Sequence, residues 1–122
     1  MIPKYWLEFL DHNNFRNIGC DIPEEKDLSE IGGGSLDIFS EKDIEEEATK
    51  FYPGIAVLND GYIPVGGCSQ GSGDPYFINI NDGISGPLYR IYHDEVRDTS
   101  YIKEKAINIV LNDYTDLINY KE

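Results

Sequence analysis

Short apolar runs separated by glycine-containing turns fill the middle of the chain, from residue 51 to residue 93. The runs at residues 55–58, 62–65, 76–80 and 88–93 have the length and composition of strands. The tripeptide Asn-Asp-Gly follows the first run and recurs before the last one. Gly61 and Gly83, which end these tripeptides, can adopt the positive φ that tight hairpin turns need. The pattern predicts the core of a small antiparallel meander sheet.

The apolar spacing near the start of the chain is that of a helix. Trp6, Phe9 and Leu10 stand at i, i+3 and i+4, which places them on one helical face. Pro3 suits the first helical position, because its missing N–H is not needed there. We expect this helix to end near residues 13–14.

Residues 16–34 show no regular period. They carry Pro23 and end in three glycines, which predicts an acidic connector with room for one turn of helix. Residues 35–39 then alternate between apolar and polar positions, as an edge strand does.

A second helix is predicted to begin after Ser40. Asp43, three residues later, completes a variant of the capping box, and acidic residues in a first turn favour the helix dipole. Ile44, Ala48 and Phe51 then mark the buried side of this helix. The Pro-Gly pair that follows is expected to end it.

The last quarter of the chain allows two interpretations. Residues 102–110 place apolar side chains at helical spacing, whereas residues 106–111 also fit a final strand before a helix capped at residue 112 or 113. We favour the strand followed by the helix. Pro64 and Pro75 cannot donate to a sheet ladder, so we expect them at edges or strand ends.

The length of 122 residues indicates one domain with a single core. Together with the patterns above, it predicts an α+β fold: an antiparallel meander sheet of about five or six strands, flanked by helices at both chain ends and before the first core strand. No apolar stretch is long enough to cross a bilayer, and the start lacks the layout of a signal peptide. We therefore expect a cytoplasmic protein without a membrane partner.

Residues suited to metal or disulfide chemistry are few. Cys20 and Cys68 fit reduced thiols better than a disulfide scaffold, although the sequence leaves a bridge between them open. With His12 and His93 they are too scattered for a zinc site. No metal and no cofactor is predicted.

The chain carries 23 acidic and 10 basic side chains, a formal net charge of −13. Direct binding to nucleic acid is not expected, because phosphate recognition relies on clustered Lys and Arg. The acids concentrate in residues 21–47. This run is either a solvated surface that aids solubility or a negative surface that steers a basic protein partner.

The segment Gly67-Cys68-Ser69-Gln70-Gly71 matches the G-x-S-x-G motif of hydrolases, in which a serine lies on a strand-to-helix turn. A strand, and not a helix, is predicted after this loop, and only His93 is available as a base. We interpret the motif as a glycine loop joining two strands and predict no enzyme activity. A hydrolase using Ser69 and His93 is an alternative from another functional class.

Several features in a fixed order carry a family resemblance. They are Ile2-Pro3 before the aromatic helix, the acidic helix ending in Phe51-Tyr52-Pro53-Gly54, the turn Asn59-Asp60-Gly61, the loop Gly71-Ser72-Gly73-Asp74, and Gly86-Pro87-Leu88-Tyr89 before His93-Asp94. In this order and spacing the chain resembles the SUKH superfamily, named for Syd, a herpesviral family and a yeast cell-wall regulator. Residues 16–34 do not align with the family's compact turn, so we expect a local insertion there.

The resemblance implies a compact α+β fold and a function in protein binding. Many small bacterial members are immunity proteins that bind and block a cognate toxin, often a nuclease. We therefore expect a non-catalytic module that binds a basic protein toxin. An intracellular adaptor, or a regulatory or small-molecule-binding domain without a toxin partner, is the alternative.

The predicted contact surface centres on the acidic helix, with one strand residue and the glycine loop beside it. The predicted partner-binding residues are Glu41, Asp43, Glu45, Glu46, Glu47, Tyr62, Gln70 and Asp74. The acids are chosen for charge complementarity with a basic partner, and the tyrosine because it offers a large contact area at low entropic cost.

Overall fold

The computed structural model describes residues 1–29, 33–69 and 74–122. Its α-helices are α1 (Lys4–His12), α2 (Glu41–Thr49), α3 (Gly54–Val57) and α4 (Lys103–Ala106). Its strands are β1 (Gly19–Ile22), β2 (Gly34–Ile38), β3 (Tyr62–Cys68), β4 (Tyr76–Asn79), β5 (Leu88–Ile91), β6 (Val96–Arg97), β7 (Ser100–Tyr101) and β8 (Ile107–Leu111). Short 3₁₀ helices lie at Glu24–Lys26, Leu58–Asp60, Ile80–Asp82, His93–Glu95 and Tyr114–Tyr120.

The main sheet has six strands in the order β1-β2-β3-β4-β5-β8. All neighbouring strands within this sheet pair antiparallel. From β1 to β5 each strand pairs with the next one along the chain. The strands β6 and β7 form a separate two-stranded hairpin. The predicted α+β fold, with an antiparallel meander sheet of about six strands, is confirmed.

The central part of this sheet, β4 and most of β3, is buried on both faces, and alternate residues of these strands point to opposite sides. On β3, Ile63 and Val65 belong to the larger core cluster, whereas Tyr62 belongs to the smaller one. On β4 the same alternation separates Ile78 from Phe77. The larger cluster also contains residues of α1, and the smaller one contains residues of α3.

The first helix forms as predicted. Trp6, Phe9 and Leu10 are buried, and α1 ends at His12. Its aromatic face packs on the C-terminal 3₁₀ helix, where the ring of Tyr114 lies edge-on to Trp6 at 5.4 Å and to Phe9 at 5.3 Å. The two ends of the chain therefore cover the same side of the sheet.

The predicted connector contains a strand that the pattern did not reveal. Residues Gly19–Ile22 form β1, which pairs with β2, so residues 35–39 lie inside the sheet and not at its edge. Only Cys20 and Ile22 of this strand are buried. Two apolar positions among acidic residues are too few to establish a strand period. The predicted single helical turn is present at Glu24–Lys26.

The predicted strand at residues 55–58 is wrong, because this run forms α3 and the start of a 3₁₀ helix. Periodicity alone cannot distinguish a short buried strand from a short buried helix. The Asn-Asp-Gly tripeptide after it ends this helix and makes no hairpin. Gly61 has φ of +94° and donates its N–H to the carbonyl of Leu58 at 3.0 Å.

Pro64 lies within β3 and is paired with Phe77 of β4, but it lies beyond the stretch of β3 that pairs with β2, so its other side is a local edge, as expected. The register shifts between Pro64 and Gly66, and such an irregularity accommodates a residue that cannot donate to the ladder. Pro75 directly precedes β4, as expected for a strand end. The strand at residues 106–111 is present as β8, from Ile107 onward.

Candidate functional site

The acidic helix α2 is built as the sequence predicts. The hydroxyl of Ser40 accepts a hydrogen bond from the N–H of Asp43 at 3.1 Å, which caps the helix. Ile44 and Ala48 are fully buried, and Ile44 belongs to the larger core cluster. The predicted acids occupy the rest of the helix: Glu41, Asp43 and Glu45 are exposed, and Glu46 and Glu47 are half-buried.

The acids of α2 outnumber the cations near them. Lys42 reaches Glu46 at 4.0 Å, and Arg16 contacts Glu41 at 3.1 Å while it also binds Asp11 at 2.6 Å. Burial raises the pKa of Glu47. The charges of Asp43 and Glu46 add to this rise, which shows that the acids of α2 act on one another electrostatically.

Two aromatic side chains that follow α2 are exposed to solvent. Phe51 is 51% exposed and Tyr52 is 48% exposed. The prediction that Phe51 is buried is therefore wrong. The helix ends at Thr49, so the helical spacing that related Phe51 to Ile44 and Ala48 no longer applies. We define the α2 surface as these two aromatic residues with the predicted acids: Glu41, Asp43, Glu45, Glu46, Glu47, Phe51 and Tyr52.

Tyr62 does not extend this surface, which corrects its predicted place in the contact site. It is only 3% exposed and belongs to the smaller core cluster. Its ring lies edge-on to that of Tyr89, with centroids 5.3 Å apart. The alternation along β3 points this side chain inward. Gln70 falls outside the residues that the structure describes.

Asp74 is held by His93. The side-chain oxygen Oδ1 of Asp74 accepts from the backbone N–H of His93 at 3.0 Å and lies 2.6 Å from its ring atom Nδ1. The other ring nitrogen, Nε2, lies 3.0 Å from Asp94. These carboxylates raise the pKa of His93, and the hydrogen bond that its ring donates to Asp74 contributes most. Asp74 thus fastens the chain before β4 to the residues after β5.

Cys20 and Cys68 lie on either side of β2. Both are register partners of Leu36, one on β1 and the other on β3. Two strand spacings separate their Cα atoms by roughly 10 Å. A disulfide requires Cα atoms closer than about 7 Å, so these cysteines cannot pair in this fold. Neither cysteine forms a disulfide.

A polar cavity of about 420 Å³ opens where the two Asn-Asp-Gly tripeptides meet. The side-chain amides of Asn79 and Asn81 both donate to the carbonyl of Asp60, at 3.1 and 3.4 Å. Gly61 permits this approach, because a Cβ there would lie 2.7 Å from either amide group. The sequence predicted two separate hairpin turns and gave no sign that they would lie together.

Tyrosine hydroxyls orient the two carboxylates of this cavity. Tyr89 donates to Asp82 at 2.7 Å, and Tyr101 donates to Asp60. Burial raises the pKa of both phenols, and the hydrogen bonds to the carboxylates raise it further. Both phenols therefore stay protonated as donors. Lys103 also lines the cavity.

Neither a metal cluster nor a spanning helix occurs in the part of the chain that the structure describes. Within residues 1–29, 33–69 and 74–122, no group of three or more His, Cys, Asp or Glu side chains is placed to hold a metal ion. No helix within these ranges is both long enough and apolar enough to cross a bilayer. Comparisons with family models, curated proteins and solved structures found no significant match to the chain.

Proposed function

We propose that this chain is a non-catalytic, cytoplasmic binding module that neutralises a basic protein toxin of the nuclease type, as SUKH immunity proteins do. The α2 surface is the observation that carries the proposal. It combines exposed acids with two exposed aromatic rings, and the whole chain has a net charge of −13.

The chemistry of a nuclease supports this choice of partner. A nuclease presents Lys and Arg to phosphate groups, so an acidic protein surface can occupy the same side chains in place of the nucleic acid. Aromatic residues such as Phe51 and Tyr52 supply the large desolvated contacts that dominate protein interfaces. Charge then steers the encounter, and the rings hold the complex.

The proposal predicts that the reading frame next to this one encodes a basic nuclease domain, and the test uses that domain. We expect the wild-type chain to bind that domain, to inhibit its nuclease activity, and to associate more slowly as the salt concentration rises. The variant Asp43→Lys/Glu45→Lys should lower the association rate about tenfold at low salt. Stopped-flow fluorescence measures the rate.

A matched control variant distinguishes the effect of where the charge is changed from the effect of the change in net charge. Glu24→Lys/Glu25→Lys changes the net charge equally, at exposed sites outside α2, and should lower the rate no more than about twofold. Equal effects of the two variants would contradict the α2 surface as the contact site. Absence of binding to the neighbouring domain would overturn the proposed function.

A further inference from the structure

The cavity between the two Asn-Asp-Gly tripeptides has the features of a prepared binding site. It is concave, it has a volume of about 420 Å³, and its polar groups converge from three parts of the chain. Asp60 comes from the segment before β3, Asp82 from the segment after β4, and Tyr101 from β7. Such convergence of residues distant in sequence is what a ligand site requires.

We propose that this cavity binds the guanidinium group of an arginine side chain on a basic protein partner. The identity of the partner rests on the proposed function, whereas the affinity of the cavity for a guanidinium group does not.

The carboxylates of the cavity have acceptor capacity to spare. Asp60 and Asp82 each accept one hydrogen bond from a tyrosine hydroxyl, and a carboxylate offers about four acceptor positions. The charged residues that line the cavity are two carboxylates, Asp60 and Asp82, and one cation, Lys103. The cavity is therefore negative, and a cation is the ligand that its charge favours.

The shape of the site favours a guanidinium over an ammonium group or a sugar. A guanidinium is planar, offers five donors in a fixed fork, and stacks on aromatic rings. The residues that line the cavity offer acceptors for these donors, the carboxylates of Asp60 and Asp82. They also offer rings for stacking, those of Tyr89 and Tyr101. A neutral sugar would gain nothing from the net charge of −13.

The site is also preorganised, which lowers the entropic cost of binding. Asn79 is only 8% exposed and binds the carbonyl of Asp60. The side-chain oxygen of Asn79 accepts from the N–H of Asn81 at 2.8 Å. Both carboxylate-bearing segments are thereby fixed to each other before a ligand arrives.

Lys103 makes a sharp prediction possible. Lys103 lines the same cavity, and its positive charge opposes the binding of an incoming cation. Lys103→Ala should therefore tighten guanidinium binding about threefold, and Asp82→Asn should weaken it about tenfold. A sugar or anion site would not strengthen when this lysine is removed.

The experiment titrates the ¹⁵N-labelled full chain with N-acetyl-arginine amide and follows amide shifts by NMR. N-acetyl-citrulline amide, which has nearly the same shape without the charge, is the control ligand. We expect saturable shifts at residues 60–61, 79–83 and 101–103 with the arginine probe, and at least about tenfold weaker binding of the citrulline probe. This comparison needs no variant, so it holds even if Asp82→Asn disturbs the fold.

Three results would overturn the inference. One is equal binding of the arginine and citrulline probes, and another is a response confined to methyl glucoside as a sugar probe. The third is arginine shifts centred on the α2 surface, which Glu45→Gln would then reduce while Asp82→Asn would not. No protein toxin is present in this titration, so its failure and the failure of the proposed function are separate outcomes.

Discussion

At the scale of single residues, two glycines show different reasons for lacking a side chain. A Cβ on Gly54 would lie 2.0 Å from the backbone carbonyl oxygen of Glu47, because α3 begins directly against α2. Gly83 has free space around it, with nothing within 4 Å, but its φ is +73°. The first glycine is required by packing and the second by backbone conformation.

We expect Gly54→Ala to lower the free energy of unfolding by about 3 kcal/mol, because backbone atoms must move apart. Gly83→Ala should cost about 2 kcal/mol, because φ of +73° with ψ of −161° is a backbone conformation that essentially only glycine adopts. Urea denaturation of the two variants measures the difference. Equal losses would show that the contact between α2 and α3 is looser than described.

His93 gives the molecule a pH dependence. Its folded pKa is raised above the ordinary value of 6.5 by Asp74 and Asp94. The stabilisation is therefore complete below pH 6.5 and is lost as the pH rises through the folded pKa. The ring is 42% exposed, so water screens the pair and its contribution should stay below about 1 kcal/mol.

The corresponding test compares the wild type with His93→Gln. At acidic pH the wild type should be more stable than His93→Gln. The difference between their free energies of unfolding should shrink toward alkaline pH. An NMR titration of the His93 ring should give a pKa above 6.5. A measured pKa at or below that value would contradict the contacts with Asp74 and Asp94.

At the scale of elements, the start of α2 follows from local chemistry alone. Ser40 caps the helix through the N–H of Asp43. Ser40→Ala should lower the free energy of unfolding by about 1 kcal/mol, whereas Ser100→Ala, at an exposed serine in β7, should leave it nearly unchanged. Thermal unfolding by circular dichroism measures both. A loss equal for the two variants would argue against the cap.

Elements with several regularly spaced apolar residues could be predicted from the sequence. The helix α1 has three such residues, and β4 and β5 are short, mostly apolar runs on either side of a glycine-containing connection. The strand β1 has only two buried residues, and α3 has only four residues in all. Their conformations are decided by tertiary packing, which local periodicity does not contain.

For the proposed binding surfaces too, features set by residues close in sequence could be predicted, whereas features set by tertiary packing could not. The acids of α2 lie close together in sequence, so their shared surface could be predicted from helix geometry and composition. The inward position of Tyr62 depends on helix α3 covering that face of the sheet. The cavity depends on contacts between Asp60 and the residues near Asn81, which are separated by a whole hairpin. No local sequence pattern predicts such a contact.

At the scale of the whole molecule, the central part of the sheet is buried on both faces, so both proposed binding surfaces lie at its periphery. The α2 surface offers dispersed negative charge with two aromatic rings, and the cavity offers a small, fixed group of acceptors. Charge spread over a helix sets the encounter rate, whereas a preorganised cavity slows dissociation. In the proposed complex with a basic partner, the two surfaces would therefore serve different steps of binding.

The last two residues complete the outer margin of the sheet. Lys121 forms an isolated bridge with Cys20, and the N–H of Glu122 donates to the carbonyl of Gly19 at 3.0 Å. These contacts cover the outer edge of β1, and deleting residues 121–122 would leave that edge open to pairing with a neighbouring molecule.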